Sequence, residues 1–541
     1  MLLWRLSASQ LASMLARREV SAEQVARAHL DQIDCVDGRL HAFTEVFRAE
    51  AMVDAVASDV RRKRGELRGP LEGVPVTIKE CFDVAGQTTT LGIPAWRGRI
   101  APRDAAIVTL LREAGAVILG RTNLSQTMLY VEARNPIFGQ TANPWSLAHS
   151  SGGSSGGEAA AIAAGMSPLG VGTDIGGSIR TPAHFCGICG IKPTLDRLPM
   201  RGYRAVLAGQ EVVRGAAGPL ARTVGDLTLF FRADDPDRAS ELDPRVPPLR
   251  WNEPADVRLG GRRVGFYVDD GLLSASVALG RAVHRAGDAL RARGCEVVAF
   301  EPPAIRSTIA AYLGALSADG GEEILLALRG GEVDPVLASL RLLALMPKGA
   351  RRIAALGART LDQSSLSLML EAMGKKSVRE LWRLTERLRN YRAELLDAMD
   401  AQELDLLLCP PYATAALPHG ASKSFTLGSS YSILFNVTQF PAGAVPVTRV
   451  RPDEAGRRVG HRSFGIAGGI AGAWGKLRED ALTRRAAAID DGSAGLPVGV
   501  QVVGRPWRDD LVLAAMQAIE SEVSRDEGFP ETPVELPNPA S

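Results

Sequence analysis

Residues 8–35 show helical periodicity, with Leu11, Met14, Leu15, Val20 and Val25 as the apolar positions. Ser21 stands as an N-cap with Glu23 and Gln24 behind it, so two opening helices are expected. The period then changes. Val74 to Ile78 is a β-branched run, read as a strand ending at Lys79, and residues 105–119 read as a helix followed by the strand Ala116-Val117-Ile118-Leu119. From Glu158 to Gly165 alanine dominates, which suits a helix lying close against a sheet; Ser167 to Val171 is the next strand, Gly176-Gly177-Ser178 a turn, and Ile179 the start of another helix. The α/β rhythm resumes with strands at Gly261 to Val268 and Cys295 to Phe300 around a helix at 276–293. Two stretches interrupt it. Asp234 to Pro254 is polar and proline-rich, as in a surface connection, and 451–493, rich in Arg, Gly and Ala, reads as a loop-helix insertion between Val445-Pro446-Val447 and Leu496-Pro497-Val498.

A length of 541 residues admits several domains or one large α/β domain, and no repeat or low-complexity tract divides it. With 46% hydrophobic and 23% charged residues the composition is that of an ordinary soluble globular protein. Lys and Arg total 63 against 61 for Asp and Glu, so no global field attracts nucleic acid or anionic lipid, and a nucleic-acid partner is not expected. Six scattered cysteines do not make a disulfide framework, which favours a reducing, cytoplasmic compartment. Cys186-Gly187-Ile188-Cys189 lacks the second pair that a zinc site needs and is read as buried thiols. His-x-x-x-His and Glu-x-x-His spacings are absent, so neither metal nor cofactor is expected. The apolar run at Met1 to Leu6 is too short for a signal peptide or a membrane span.

Chemistry concentrates in two glycine-wrapped serine motifs. Ser151-Gly152-Gly153-Ser154-Ser155-Gly156-Gly157 and Gly172-Thr173-Asp174-Ile175-Gly176-Gly177-Ser178-Ile179-Arg180 follow the lysine of Val74-Pro75-Val76-Thr77-Ile78-Lys79. A serine hydroxyl is a poor nucleophile until a base takes its proton, and a lysine can be that base only where burial lowers its pKa. Glycines bring backbone N–H groups close to a developing oxyanion. Ser178, in a turn between strand and helix, has both donors and the helix dipole to favour negative charge. Glu80 follows Lys79 but belongs on the opposite face of the strand. The rival Ser-His-Asp arrangement is not supported, since no Gly-x-Ser-x-Gly elbow with its downstream Asp and His appears. His149 and His184, near the motifs, are read as structural.

This wording resembles the amidase signature family, whose members use a Ser-Ser-Lys triad. The resemblance implies Ser178 as nucleophile, Ser154 as a bridging serine after a cis peptide bond, and Lys79 as general base and acid; Ser154 and Ser178 stand 24 residues apart, the family's usual interval. It further implies Ile175, Gly176, Gly177 and Ser178 as oxyanion donors, with Gly153 and Ser155 in support and Asp174 and Arg180 holding the turn in shape. Lys79-Glu80-Cys81-Phe82, Asn143-Pro144-Trp145, Phe185 to Thr194, Val246 to Leu249, Phe440 to Gly443 and Leu496 to Val498 are most similar to the fatty acid amide hydrolases of that family, so the likeness spans nearly all of 1–541. Its expected fold is a single α/β domain with a large, twisted, mixed sheet flanked by helices on both faces.

The resemblance also places Met128, Leu129 and Val131 in an acyl channel, and Tyr431, Ile433, Leu434 and Phe435 are a second candidate wall or simply core. Residues 336–373, leucine-rich with interleaved arginines, suit a peripheral membrane contact, a dimer interface, or a lid packed on its own protein. The expected activity is hydrolysis of carboxylic amides, with an apolar or fatty acyl group, through an acyl-enzyme. The alternatives are a glutamine-hydrolysing component of an amidotransferase and an amidase for small or aryl amides, and the substrate is a small-molecule or lipid amide.

Overall fold

The computed structural model describes residues 2–361, 363–459 and 481–536. Eleven strands form one mixed sheet. In chain order they are β1 (Phe43–Val46), β2 (Pro75–Lys79), β3 (Val117–Thr122), β4 (Leu169–Asp174), β5 (Cys189–Lys192), β6 (Ala216–Ala221), β7 (Arg263–Phe266), β8 (Glu296–Ala299), β9 (Leu406–Cys409), β10 (Ala442–Arg449) and β11 (Pro497–Gly504). Across the sheet they lie β1-β3-β2-β4-β6-β5-β10-β11-β9-β7-β8. β2 is parallel to β3 and β4, and β7 to β8 and β9; the other neighbours are antiparallel. The middle strands β4, β5, β6 and β11 are buried along their whole length, as strands covered on both faces must be.

The opening helices run Ala8–Ala16 and Ala22–Leu40. Ser21 caps the second as expected: its Oγ accepts the Gln24 N–H at 3.1 Å while Gln24 Oε1 accepts the Ser21 N–H at 2.9 Å. Helices Ala106–Glu113 and Gly156–Ala163 precede β3 and β4, and Val277–Ala292 lies between β7 and β8. β4 runs past its expected end at Val171 as far as Asp174, because its pairing with β6 continues to Ala216. The connection at 234–254 is not wholly irregular. It contains the helix Pro236–Leu242, which Asp235 caps by accepting the Arg238 N–H, and Pro236 takes the first helical position, where a missing N–H costs nothing. Of the expected insertion at 451–493, residues 460–480 lie outside the described residues, and Ala481–Asp491 is a helix. The insertion joins adjacent antiparallel strands, β10 and β11, whose register shifts between Pro446 and Thr448.

Among its described residues, segment 336–373, called the cap below, forms three α-helices, Ala338–Leu345, Lys348–Thr360 and Ser364–Ala372. Lys348–Thr360 turns Arg351, Ala355 and Ala358 inward and leaves Ile353 76% and Leu356 63% exposed. Trp382, in helix Val378–Asp400, is 70% exposed. An exposed apolar stripe in a cap should contribute nothing to folding, whereas Leu408 in β9 is fully buried. In urea denaturation, Leu408→Ala is therefore expected to cost about 2–5 kcal/mol. Leu356→Ala should stay within about 0.5 kcal/mol.

Candidate active site

Lys79 closes β2, and the parallel neighbour β4 closes at Asp174, so both strands deliver their ends to the same edge of the sheet. Strand alternation turns Lys79 and Thr77 to one face, where helix Gly156–Ala163 lies. There Thr77 Oγ1 donates to Glu158 Oε2 at 2.6 Å. Lys79 Nζ donates to Ser154 Oγ at 2.7 Å, Ser155 Oγ at 2.9 Å and Thr173 Oγ1 at 2.9 Å. Glu80, as its place in the strand requires, turns elsewhere and accepts the Thr90 hydroxyl at 2.8 Å and the Leu91 N–H at 2.9 Å. The Gly153-Ser154 peptide is cis. A Cβ at residue 153 would lie 2.5 Å from the Glu132 nitrogen and 2.8 Å from the Val131 carbonyl carbon, so the serine motif can pass this close to the 131–132 backbone only as glycine.

Ser178 sits where the second motif turns from β4 into helix Arg180–Cys186, and the Ser155 N–H donates to the Ser178 carbonyl at 3.2 Å, tying the two motifs together. Asp174 braces the turn: Oδ1 accepts the Gly177 N–H at 2.8 Å and Oδ2 the Ile179 N–H at 3.0 Å. One of the four N–H groups expected as oxyanion donors is thus engaged within the protein. The Gly177 N–H is directed at Asp174, which leaves those of Ile175, Gly176 and Ser178 as candidates. Gly177 itself is fixed by shape, with φ +109° and only 2.8 Å between a Cβ there and the Ser432 Cβ. Burial pushes the Asp174 carboxyl up, but the charge and hydrogen bonds of Arg180, with the Ile179 N–H and Asn436, hold it well below the usual carboxylate range.

Burial lowers the Lys79 pKa from 10.5 to about 8, against the opposing pull of Cys81, Asp174 and Glu158. Burial likewise raises Glu158 to about 8, despite hydrogen bonds from Thr77 and Thr122. Both groups are thus biased toward their neutral forms. Asp174 and Glu158 lie near enough to oppose the lysine's shift, and burial outweighs them.

Two cavities meet at Ser178. The first, with an empty volume of about 1170 Å³ including its open end, is mainly apolar: Met128, Leu129 and Val131 line it as expected, facing Leu313, Leu316 and Ile433. It continues toward the cap, where Ala344, Met369 and Met373 border it. The second holds Ser154 and Thr173 beside Ser178 and carries Asp196, Glu211, Arg214 and Arg245, which pair with one another. Tyr431 and Phe435, read as a candidate wall or simply core, do not line either cavity. Both are buried core residues, and the Tyr431 hydroxyl is committed to the Leu273 carbonyl at 2.7 Å. Consecutive turns of helix Ser430–Val437 send Ile433 to the cavity and these aromatics into the interior.

His184 is buried, accepts the Gly499 N–H at 2.9 Å and contacts the Thr414 carbonyl at 3.0 Å; burial lowers its pKa to about 4. His149 contacts Ser146 Oγ at 2.9 Å. Neither bonds Lys79, Ser154 or Ser178. Cys186 and Cys189 are buried free thiols, and Cys186 Sγ points to the Ser151 carbonyl at 3.4 Å. Three neighbours are not singled out by the sequence. Thr173 lies inside the second motif, which is the signal that could have found it; Glu158 reads there only as a helix residue; Tyr312, remote in sequence, belongs to no motif, yet its hydroxyl donates to the Ile175 carbonyl at 3.1 Å.

Comparison with known proteins matches this arrangement to one family. The amidase family model matches residues 24–513. The chain is 38% identical over 454 residues to fatty-acid amide hydrolase 1 of Sus scrofa, covering 84% of this chain and 76% of that one. It is 33% identical over 520 residues to fatty acid amide hydrolase 1 of Caenorhabditis elegans, covering 93% and 87%. A solved fatty acid amide hydrolase superposes with a TM-score of 0.83 at 26% identity, covering 97% of this chain and 86% of that one. By its family match and its fold alike, the chain belongs to the amidase family, the amidase signature enzymes that hydrolyse amides.

Proposed function

We propose that the chain is a serine amidohydrolase for carboxylic amides with an apolar, fatty acyl group, and that it works through an acyl-enzyme on Ser178. The observation that carries this reading is the place of Ser178 on both cavities. A carbonyl beside it has mainly apolar walls on one side for the acyl chain and, on the other, a mixed wall that includes the paired charges of Asp196, Glu211, Arg214 and Arg245 for the amine. In the proposed reaction neutral Lys79 accepts the Ser154 proton as Ser154 accepts that of Ser178. The Ser178 oxygen attacks the carbonyl carbon, and the N–H groups of Ile175, Gly176 and Ser178 stabilise the oxyanion. The same relay protonates the departing amine, and water, activated in turn, releases the acid.

The apolar cavity favours this reading over a glutamine amidotransferase, whose substrate amide carries a charged amino-acid head. Among the described residues no helix is long and apolar enough to cross a membrane. The exposed Ile353 and Leu356, flanked by Arg352 and Arg359, instead suit peripheral contact with a lipid surface in a cytoplasmic enzyme.

Ser178→Ala should abolish turnover, and mass spectrometry after fluorophosphonate treatment should find the label on the Ser178 peptide; label on another serine, with Ser178→Ala active, refutes the assignment. Because the base must be neutral and the Lys79 pKa lies at about 8, kcat/KM should be near its plateau above that pH. Below it the rate should fall about tenfold per pH unit, the slope of a single proton. Lys79→Met should remove this limb; a mutant profile matching wild type would place the base elsewhere. Across N-acyl amides of increasing length, kcat/KM should climb about fourfold per methylene until the cavity fills. Glutamine should be a poor substrate, and a flat series with glutamine cleaved as well overturns the fatty-acyl reading while leaving the amidase intact. Ile353→Glu with Leu356→Glu should weaken vesicle binding and raise KM for long-chain amides more than for short ones. Dissociation of a dimer by the same pair would instead make this stripe an interface between protomers.

A further inference from the structure

Asp174 and Arg180 brace the nucleophile turn from within the fold, but its other side meets a residue from a distant element. Tyr312, on helix Ile305–Leu316, donates its hydroxyl to the Ile175 carbonyl at 3.1 Å. It lies so close to the next residue that a Cβ at Gly176 would be 2.7 Å from the tyrosine oxygen. Burial holds the phenol well above its ordinary pKa, so the hydroxyl remains a donor throughout the working pH range.

The Ile175 carbonyl and the Gly176 N–H belong to one planar trans peptide and point in opposite directions. A bond that fixes the carbonyl therefore fixes the direction of the N–H. It also draws electron density through the amide, which makes that N–H a stronger donor. Gly176 carries one of the three candidate oxyanion donors that Asp174 does not occupy. Tyr312 also lines the apolar cavity, and its helix packs on the cap helix Ser364–Ala372 and on Ser430–Val437, which holds Ser432 and Asn436 against the turn.

We propose that Tyr312 is a positioning residue for the oxyanion site: its hydroxyl sets the plane of the Ile175–Gly176 peptide, and its place in the cavity wall makes that setting sensitive to the acyl chain. The inference rests on the amidohydrolase reading above. It adds that the length of the acyl chain governs kcat as well as KM, since a chain that packs against Tyr312 steadies the group that aims the donor.

The test uses the full chain with Tyr312→Phe, and with Tyr312→Met as a second way of removing the hydroxyl while filling the cavity; thermal melting confirms that each folds. Three quantities are compared with wild type: kcat and KM across short-, medium- and long-chain N-acyl amides, the affinity of a long-chain trifluoromethyl ketone that adds to the serine to form an oxyanion, and the affinity of the matching alcohol, which has no carbonyl. Loss of one neutral hydrogen bond should lower kcat and ketone affinity together, by about three- to tenfold. Alcohol affinity should stay unchanged, and the gain in kcat with chain length should flatten. Unchanged kcat and ketone affinity overturn the proposal, as does a loss confined to KM and alcohol affinity, or failure of both variants to fold, either of which makes Tyr312 only a wall or core residue. Fluorophosphonate labelling of wild type separates the two levels. Label away from Ser178 ends the amidohydrolase reading and this inference with it, whereas label on Ser178 with wild-type behaviour in both variants ends this inference alone.

Discussion

The ion pair of Arg180 with Asp174, both fully buried, holds the turn that carries Ser178, and the site is built outward from it. A guanidinium has five N–H donors, and five bonds meet it here: two to the Asp174 carboxylate, the others to the Ser432 carbonyl, the Gln501 side chain and the Asn436 side chain. Burying two charges costs several kcal/mol per ion, so such a pair adds little to stability unless every donor and acceptor is satisfied. Its contribution is geometric. It ties the end of β4 to β11 and to helix Ser430–Val437, and the same carboxylate takes up the Gly177 and Ile179 N–H groups, leaving the turn one shape.

With the turn fixed, the electrostatics of Lys79 follow from what it lacks. Its three hydrogen bonds all go to hydroxyls, which accept from an ammonium without adding a full negative charge. A carboxylate in direct contact would keep the lysine protonated far above neutral pH. Asp174 is instead neutralised by Arg180, and Glu158 is pushed toward its neutral form, so burial sets the direction of the shift. On the proposed reading, that brings the lysine close enough to its neutral form to exchange a proton with Ser154.

Ser178 stands where the two cavities meet, one mainly apolar and the other of mixed polarity with the paired charges of Asp196, Glu211, Arg214 and Arg245 in its wall. On the proposed reading, hydrophobic transfer rewards each methylene of an acyl chain in the apolar cavity. The wall of the apolar cavity also includes Tyr312, whose hydroxyl donates to the Ile175 carbonyl, so that wall and the turn before Ser178 share a residue. On the proposed reading, binding energy from the remote chain thereby has a route to the reacting carbonyl.

Local chemistry made much of this legible in advance. Ser21 capped the helix its spacing announced, the β-branched run ended at Lys79, and glycines marked the two turns that carry Ser154 and Ser178, because capping, strand propensity and left-handed backbone depend on residues a few positions apart. The motif wording further named Lys79, Ser154 and Ser155 together, and their side chains do meet. What the sequence could not decide was direction and partnership across the fold. Whether Ile433 or Tyr431 faces the cavity depends on how helix Ser430–Val437 rotates against the sheet, and apolar residues satisfy either environment equally well. That Asp174 claims the Gly177 N–H, and that Tyr312 reaches Ile175 from a helix 137 residues away in sequence, follows only from packing, since a hydrogen bond closed by tertiary structure leaves no periodic trace in the chain.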